Sequence, residues 1–206
     1  MTHSTKGSNI YTVIKLDKNM SFLPKDYKEP SVSNYMRLSD GENRFRVLSS
    51  AIVGMEYWKQ VGESRKPIRK RQGEAIPVGE LEVNQNTQEL EKPKHFWAFV
   101  VYNYQEEAIQ ILEITQKTIQ QAMSAYVNNP KWGDPKEYDF IITRTGEKFD
   151  TVYTVTVDPK ETLNKGITQL YKDMNIDLDQ LFLGGDPFNT QSESDKVADE
   201  VAEVMK

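Results

Sequence analysis

The chain has 206 residues, 26 Lys+Arg against 31 Asp+Glu, a formal net charge of −5 and no cysteine. This length suits one ordinary domain with appendages or two small ones. The missing thiol excludes a disulfide framework, a cysteine nucleophile and a Cys-ligated zinc or iron–sulfur site. No run approaches the roughly 20 apolar residues of a membrane span, and the polar start, Met1 to Asn9, carries no secretory pattern. A soluble intracellular protein without membrane contact is expected.

Residues 1–34 are turn-rich, with Pro24 and Pro30, and read as a loosely held N-terminal arm. Met20 in it is either a second translation start or an ordinary internal methionine. Arg44 to Lys59 reads as one long, bent strand with Gly54 as bulge or bend. Lys66 to Arg71 is a short strand that Pro67 places at an edge or start, and Gly73 to Lys94 is a polar loop. His95 to Tyr104, HFWAFVVYNY, is the strongest β signal, and Ala108 to Thr115 follows it as the second arm of a hairpin. Within the first arm Trp97 and Phe99 are expected in the core and Tyr102 and Tyr104 on the more accessible face. Thr115 to Asn128 has helical spacing, with Ile119 and Met123 on one side. Tyr138 to Arg144 and Thr151 to Asp158 are two further strands, and Glu161 to Asn175 is a helix with Leu163, Ile167, Leu170 and Met174 as its apolar stripe. Ile176 to Phe182 adds a further turn of helix.

The order strand, strand, long hairpin, helix, strand, strand matches a five-stranded Greek-key barrel of the oligonucleotide/oligosaccharide-binding type with an added hairpin. The fold expected is mostly β with one or two helices. The barrel domain covers 35–160, a helical C-terminal extension covers 161–184, and a disordered acidic tail covers 185–206.

Charge is segregated along the chain. From Asp173 to Lys206 nine acids face two lysines, whereas the preceding 172 residues carry 24 bases and 22 acids. The densest positive stretch holds Lys59, Arg65, Lys66, Arg69, Lys70 and Arg71 against Glu63 alone, directly after Tyr57 and Trp58. Cations for phosphates beside flat rings for bases are what sequence-tolerant single-strand binding requires. A solvated surface loop with surplus base is the plainer alternative.

Several segments together resemble the single-stranded DNA-binding proteins of tailed bacteriophages. They are NYMRLSDGENRFRVL at Asn34 to Leu48, IVGMEYW at Ile52 to Trp58, the strand His95 to Tyr104, IQILEITQKTI at Ile109 to Ile119, and WGDPKEYDFIIT at Trp132 to Thr143 followed by Tyr153-Thr154-Val155-Thr156. They cover roughly residues 34–158, and the DPF at Asp186 to Phe188 resembles the family's end region. The resemblance implies an oligonucleotide-binding barrel, no catalysis, and a role in viral DNA replication, recombination and repair in the host cytoplasm. It departs from relatives that carry a zinc ribbon, since cysteine is absent. It also departs from relatives ending in an acidic tip with a terminal aromatic, since the last residue is Lys206.

On this reading Arg44, Arg46, Lys59, Arg65, Lys66, Arg69, Lys70, Arg71 and Arg144 neutralise phosphates, while Tyr57, Trp58, Tyr102 and Tyr104 stack on bases. The tail would recruit replication or recombination proteins. No phosphate loop, nucleophile elbow or HExxH occurs. Glu80, Glu82, Glu89 and Glu91 could gather a divalent metal, but their spacing is not distinctive. No cofactor or metal is expected. RNA binding or strand annealing is one alternative, and a protein-interaction or virion structural module on the same barrel is another.

Overall fold

The computed structural model of the protein describes residues 33–84 and 87–189. The N-terminal arm up to residue 32 and the acidic tail beyond residue 189, with the expectations attached to them, lie outside the described residues.

Eight strands form one sheet: β1 Tyr35–Met36, β2 Gly41–Val47, β3 Ile52–Val61, β4 Ser64–Arg71, β5 Lys94–Asn103, β6 Ala108–Ile114, β7 Asp139–Thr145 and β8 Val152–Val157. Among the described residues three α-helices accompany them, the third overlapping the further turn of helix expected over 176–182: α1 Lys117–Val127, α2 Lys165–Met174 and α3 Gln180–Leu183. The pairing path runs β1-β6-β5-β2-β7-β8, with β3 branching from β5 and β4 pairing β3. The mostly β character stands. The sheet has eight strands rather than five plus a hairpin, and the pairing path does not close.

The single strand expected over 44–59 is split. Both β2 and β3 pair antiparallel with β5, β2 through Val47 opposite Val101 and β3 through Ile52 opposite Ala98. Between them Leu48 N–H donates to the Val100 carbonyl at 2.9 Å, and Val100 N–H donates to Ser49 Oγ at 2.9 Å. The serine hydroxyl supplies the acceptor that the departing backbone no longer offers, so the chain bends without orphaning a buried donor. The bend therefore lies at 48–51, not at Gly54. Gly54 stays in register with Arg71 and Phe96. A Cβ there would lie 2.2 Å from the Lys70 carbonyl oxygen and 3.0 Å from the Phe96 and Phe182 rings. Glycine is required by close approach, not by turning.

Strand alternation sends β5 side chains to two covered faces. Phe99 and Val101, with Phe45, Leu112, Ile114, Phe140 and Ile142, pack against Ile119 and Met123 of α1. Phe96, Ala98 and Val100, with Ile109 and Ile111, pack against Leu178 and Leu181 near the C-terminal end. The extension over 161–184 is thus the second wall of the sheet. Tyr171, Met174 and Phe188 also pack there, whereas Leu170, expected in the apolar stripe of α2, is 49% exposed. Asn164 rather than Glu161 opens α2, its side chain accepting from Gly166 N–H at 2.7 Å. Among the described residues no helix is long and apolar enough to cross a membrane.

Candidate nucleic-acid interface

β3 and β4 form a hairpin whose register pairs Lys59 with Lys66, Met55 with Lys70, Glu56 with Arg69 and Gly54 with Arg71. Residues opposite one another share a face, and successive residues alternate. The compact segment RKPIRKR is therefore sorted: Arg65, Arg69 and Arg71 project to one side, and Lys66 and Lys70 project to the other with Lys59.

The arginine side meets carboxylates throughout. Arg65 Nη2 lies 2.5 Å from Glu91 and its Nε 3.2 Å from Glu82. Arg69 Nη2 lies 2.6 Å from Glu113 and 3.1 Å from Glu56, over the Phe96 ring. Glu56 Oε2 is close but lacks the alignment of a hydrogen bond. Burial, with the neighbouring Glu56 carboxyl, pushes the Glu113 carboxyl up to about 8, against the opposing pull of Arg69. Arg71 lies 3.0 Å from Asp179 and stacks on Phe182 at 4.5 Å.

The lysine side is different. Lys59 Nζ is 3.8 Å from Glu80 Oε2. Among the described residues neither Lys66 nor Lys70 stands within salt-bridge range of a carboxylate. The same face continues along register into β5, where Met55 is opposite His95 and Val53 opposite Trp97. His95 Nδ1 is 3.3 Å from Gln120 Oε1 of α1, and the Gln120 amide donates to the His95 and Ile114 carbonyls. This histidine belongs to the strand–helix contact.

Trp97 is half-buried and lines a cleft of about 690 Å3 with Val53, Phe99, Met123, Val127 and Lys136. Phe99 is sealed at 2% exposure, whereas Trp97 packs against the same core cluster and is only partly buried. The register of Trp97 with Val53 places it on the face that carries the lysines.

The remaining candidates separate by burial. Arg46 is 2% exposed. Its Nε donates to Asp139, and its Nη1 donates to the Lys136 and Glu161 carbonyls at 3.3 and 2.8 Å. Such a guanidinium ties β2 to β7 and to the start of the C-terminal extension, which corrects its assignment to phosphate. Arg44 shares Asp139, at 2.6 Å, and lies over the Tyr104 ring at 4.8 Å. Tyr104 is half-buried, donates to Asp139 at 3.1 Å, and its hydroxyl is pushed up to about 12, mainly by burial. Tyr102 packs edge-on against it at 5.0 Å and belongs to the cluster under the C-terminal extension. The expected accessible pair is therefore half-covered.

Arg144 pairs with Asp40 at 3.1 Å, away from the hairpin. Tyr57 is 2% exposed, and its hydroxyl donates to Glu80 and is pushed up to about 12 by burial and that bond. Trp58 is 40% exposed on the arginine side and lines a second cleft, of about 660 Å3, with Arg65, Glu91, Lys92 and Lys94. Glu80, Glu82 and Glu91 engage a tyrosine and cations rather than converging on a metal. Among the described residues no group of three or more His, Cys, Asp or Glu is arranged to hold one.

The structure thus places Lys59, Lys66 and Lys70 on one face of the hairpin and Trp97 with Lys136 along one cleft, while Arg46, Arg144 and the Tyr102–Tyr104 pair are held in contacts of their own. No family model, curated protein sequence or solved structure matches the chain.

Proposed function

We propose that this chain is a non-enzymatic, largely sequence-independent single-stranded DNA-binding protein, acting in phage DNA replication, recombination and repair in the host cytoplasm. The observation that carries the reading is the sorting of the hairpin. By strand register Lys59, Lys66 and Lys70 lie on the same sheet face as His95 and Trp97, and Lys136 lines the Trp97 cleft. Lysine heads supply mobile, sequence-blind phosphate contacts, and an indole beside an apolar cleft supplies a surface that any unpaired base can stack on. A duplex keeps its bases stacked inside and cannot use the cleft.

The order of the elements also supports an oligonucleotide-binding type of sheet. The bent β2–β3 run, β4, β5, the α1 helix, β7 and β8 follow in that sequence, with β6 as the added strand.

Fluorescence anisotropy with labelled oligo-dT, duplex DNA and oligo-U of equal length tests the proposal. Oligo-dT should bind tightest, with a steep loss of affinity as salt rises. Tighter binding of oligo-U would transfer the assignment to RNA. No binding of any nucleic acid would leave the protein-interaction or virion module.

A further inference from the structure

We propose that Glu80 is a built-in stand-in for a phosphate on the lysine face, and that single-stranded nucleic acid binds there by displacing it. The inference rests on the nucleic-acid reading above and concerns how that site is controlled.

Glu80 ends a short 3-10 turn, Val78–Glu80, in the polar segment between β4 and β5. Its carboxylate accepts from the Tyr57 hydroxyl and faces Lys59 Nζ at 3.8 Å. The Tyr57 hydrogen bond, aided by the charges of Lys59 and Lys70, holds the Glu80 carboxyl below its usual range. An anion thus already sits among a hydroxyl donor and two lysines, the donor set that a phosphodiester would use.

The same segment masks the other side of the hairpin. Glu82 accepts from the Gln60 backbone N–H and lies 3.2 Å from Arg65, and Glu91 lies 2.5 Å from that arginine. Glu82 and Glu91 are themselves joined, Glu91 N–H donating to the Glu82 carbonyl at 2.8 Å. One acidic segment therefore neutralises cations on both faces of one basic hairpin.

Its hold is light. No residue of the 3-10 turn is buried, and Val78 is 67% exposed. The exposed Lys59–Glu80 ion pair contributes little stability, and an incoming phosphate oxygen would take over the Tyr57 hydroxyl as donor, so the net loss on displacing Glu80 is small. Leaving, Glu80 would also release the hydroxyl end of Tyr57, which lies on the lysine face between Lys59 and Met55. The closed state then discriminates against isolated anions, because a single phosphate gains no more than the carboxylate it replaces. A strand that also fills the Trp97 cleft gains both.

The test compares the full chain with Glu80→Gln by oligo-dT titration across salt, with thermal unfolding to establish that the variant is folded. Glu80→Gln should bind about threefold more tightly at low salt, and its log–log salt slope should be steeper by about 0.7, the share of one newly available cation. Hydrogen exchange on the unaltered protein gives a second measurement. The amides of Glu80 and Leu81, which donate to the Pro77 and Val78 carbonyls at 2.9 and 3.2 Å, should lose protection when oligo-dT is added. Equal affinity and slope in the two proteins, or stronger protection of those amides on binding, overturns the inference while leaving single-strand binding intact. Binding by neither protein overturns both.

Discussion

Arg65 and Lys66 are neighbours in the chain and project to opposite faces of β4. Arg65 meets Glu82 and Glu91 at 3.2 and 2.5 Å, while Lys66 faces Lys59 across the ladder. Like charges directly opposite on a ladder destabilise it. A Lys–Lys pair at an exposed hairpin is therefore a local cost, and it would be relieved by an anion bound between the two lysines.

Replacing Lys59, Lys66 and Lys70 together by alanine should weaken oligo-dT binding and flatten the log–log salt dependence by roughly 2, from about 0.7 per lost phosphate contact. Arg144→Ala should leave the slope unchanged, since Arg144 lies at Asp40 and away from the hairpin. Anisotropy titrations over a salt series check both. An unchanged slope in the triple variant would remove the lysine face from the site.

The two indoles at clefts, Trp97 and Trp58, discriminate between faces. Trp97→Ala should cost about 1–3 kcal/mol of single-strand affinity, the usual worth of one base stacked on an aromatic. Trp58→Ala, on the arginine side, should cost less. If the ranking is reversed in equilibrium titrations, the strand follows the cleft beside Arg65 and Lys94 instead.

Arg46 is a stability residue. With Asp139 1% exposed and Arg46 2% exposed, Arg46→Ala leaves a buried carboxylate with Arg44 and Tyr104 as its remaining partners. Removing one member of a buried pair typically costs about 3–5 kcal/mol, and the remaining partners place this case near the lower end. Urea denaturation should show the loss as a lower midpoint, and residual folded protein should still bind oligo-dT.

Stability should also fall with rising pH through one partly buried carboxyl. Glu113 is raised to about 8 in the folded chain, against an unfolded value near 4.5. Between those values the folded state holds a proton that the unfolded state has released. Unfolding free energy therefore declines with pH, by at most roughly 1.4 kcal/mol per unit for one proton. Below about 4.5 the contribution is complete, and above about 8 it is lost. Glu113→Gln should flatten the decline between pH 5 and 8 in denaturation curves taken at several pH values. An unaltered pH profile would place the proton elsewhere.

The elements that period and punctuation mark were legible in the residues themselves. The β5–β6 hairpin, α1 ending at Asn128, and the β7 and β8 strands lie within a residue or two of where alternation, helical spacing and the Asn128-Asn129-Pro130 stop place them. These are local properties, set by which side chains can share a face over a few residues. Pro67 likewise marked an edge, and β4 pairs on one side alone. What the tertiary structure decided was the fate of each charge and ring. Arg46 meets Asp139 across 93 residues of chain and Arg71 meets Asp179 across 108, so neither partner is visible in a local window. The positive cluster looked uniform as text, yet strand alternation sorted it, and carboxylates from other segments then paired every arginine on one side but only Lys59 on the other. Trp97 and Phe99 share a face, yet one is a half-buried indole at a cleft and the other a sealed phenyl ring. Burial depends on what another part of the chain brings to a surface, and that is a property of the assembled fold.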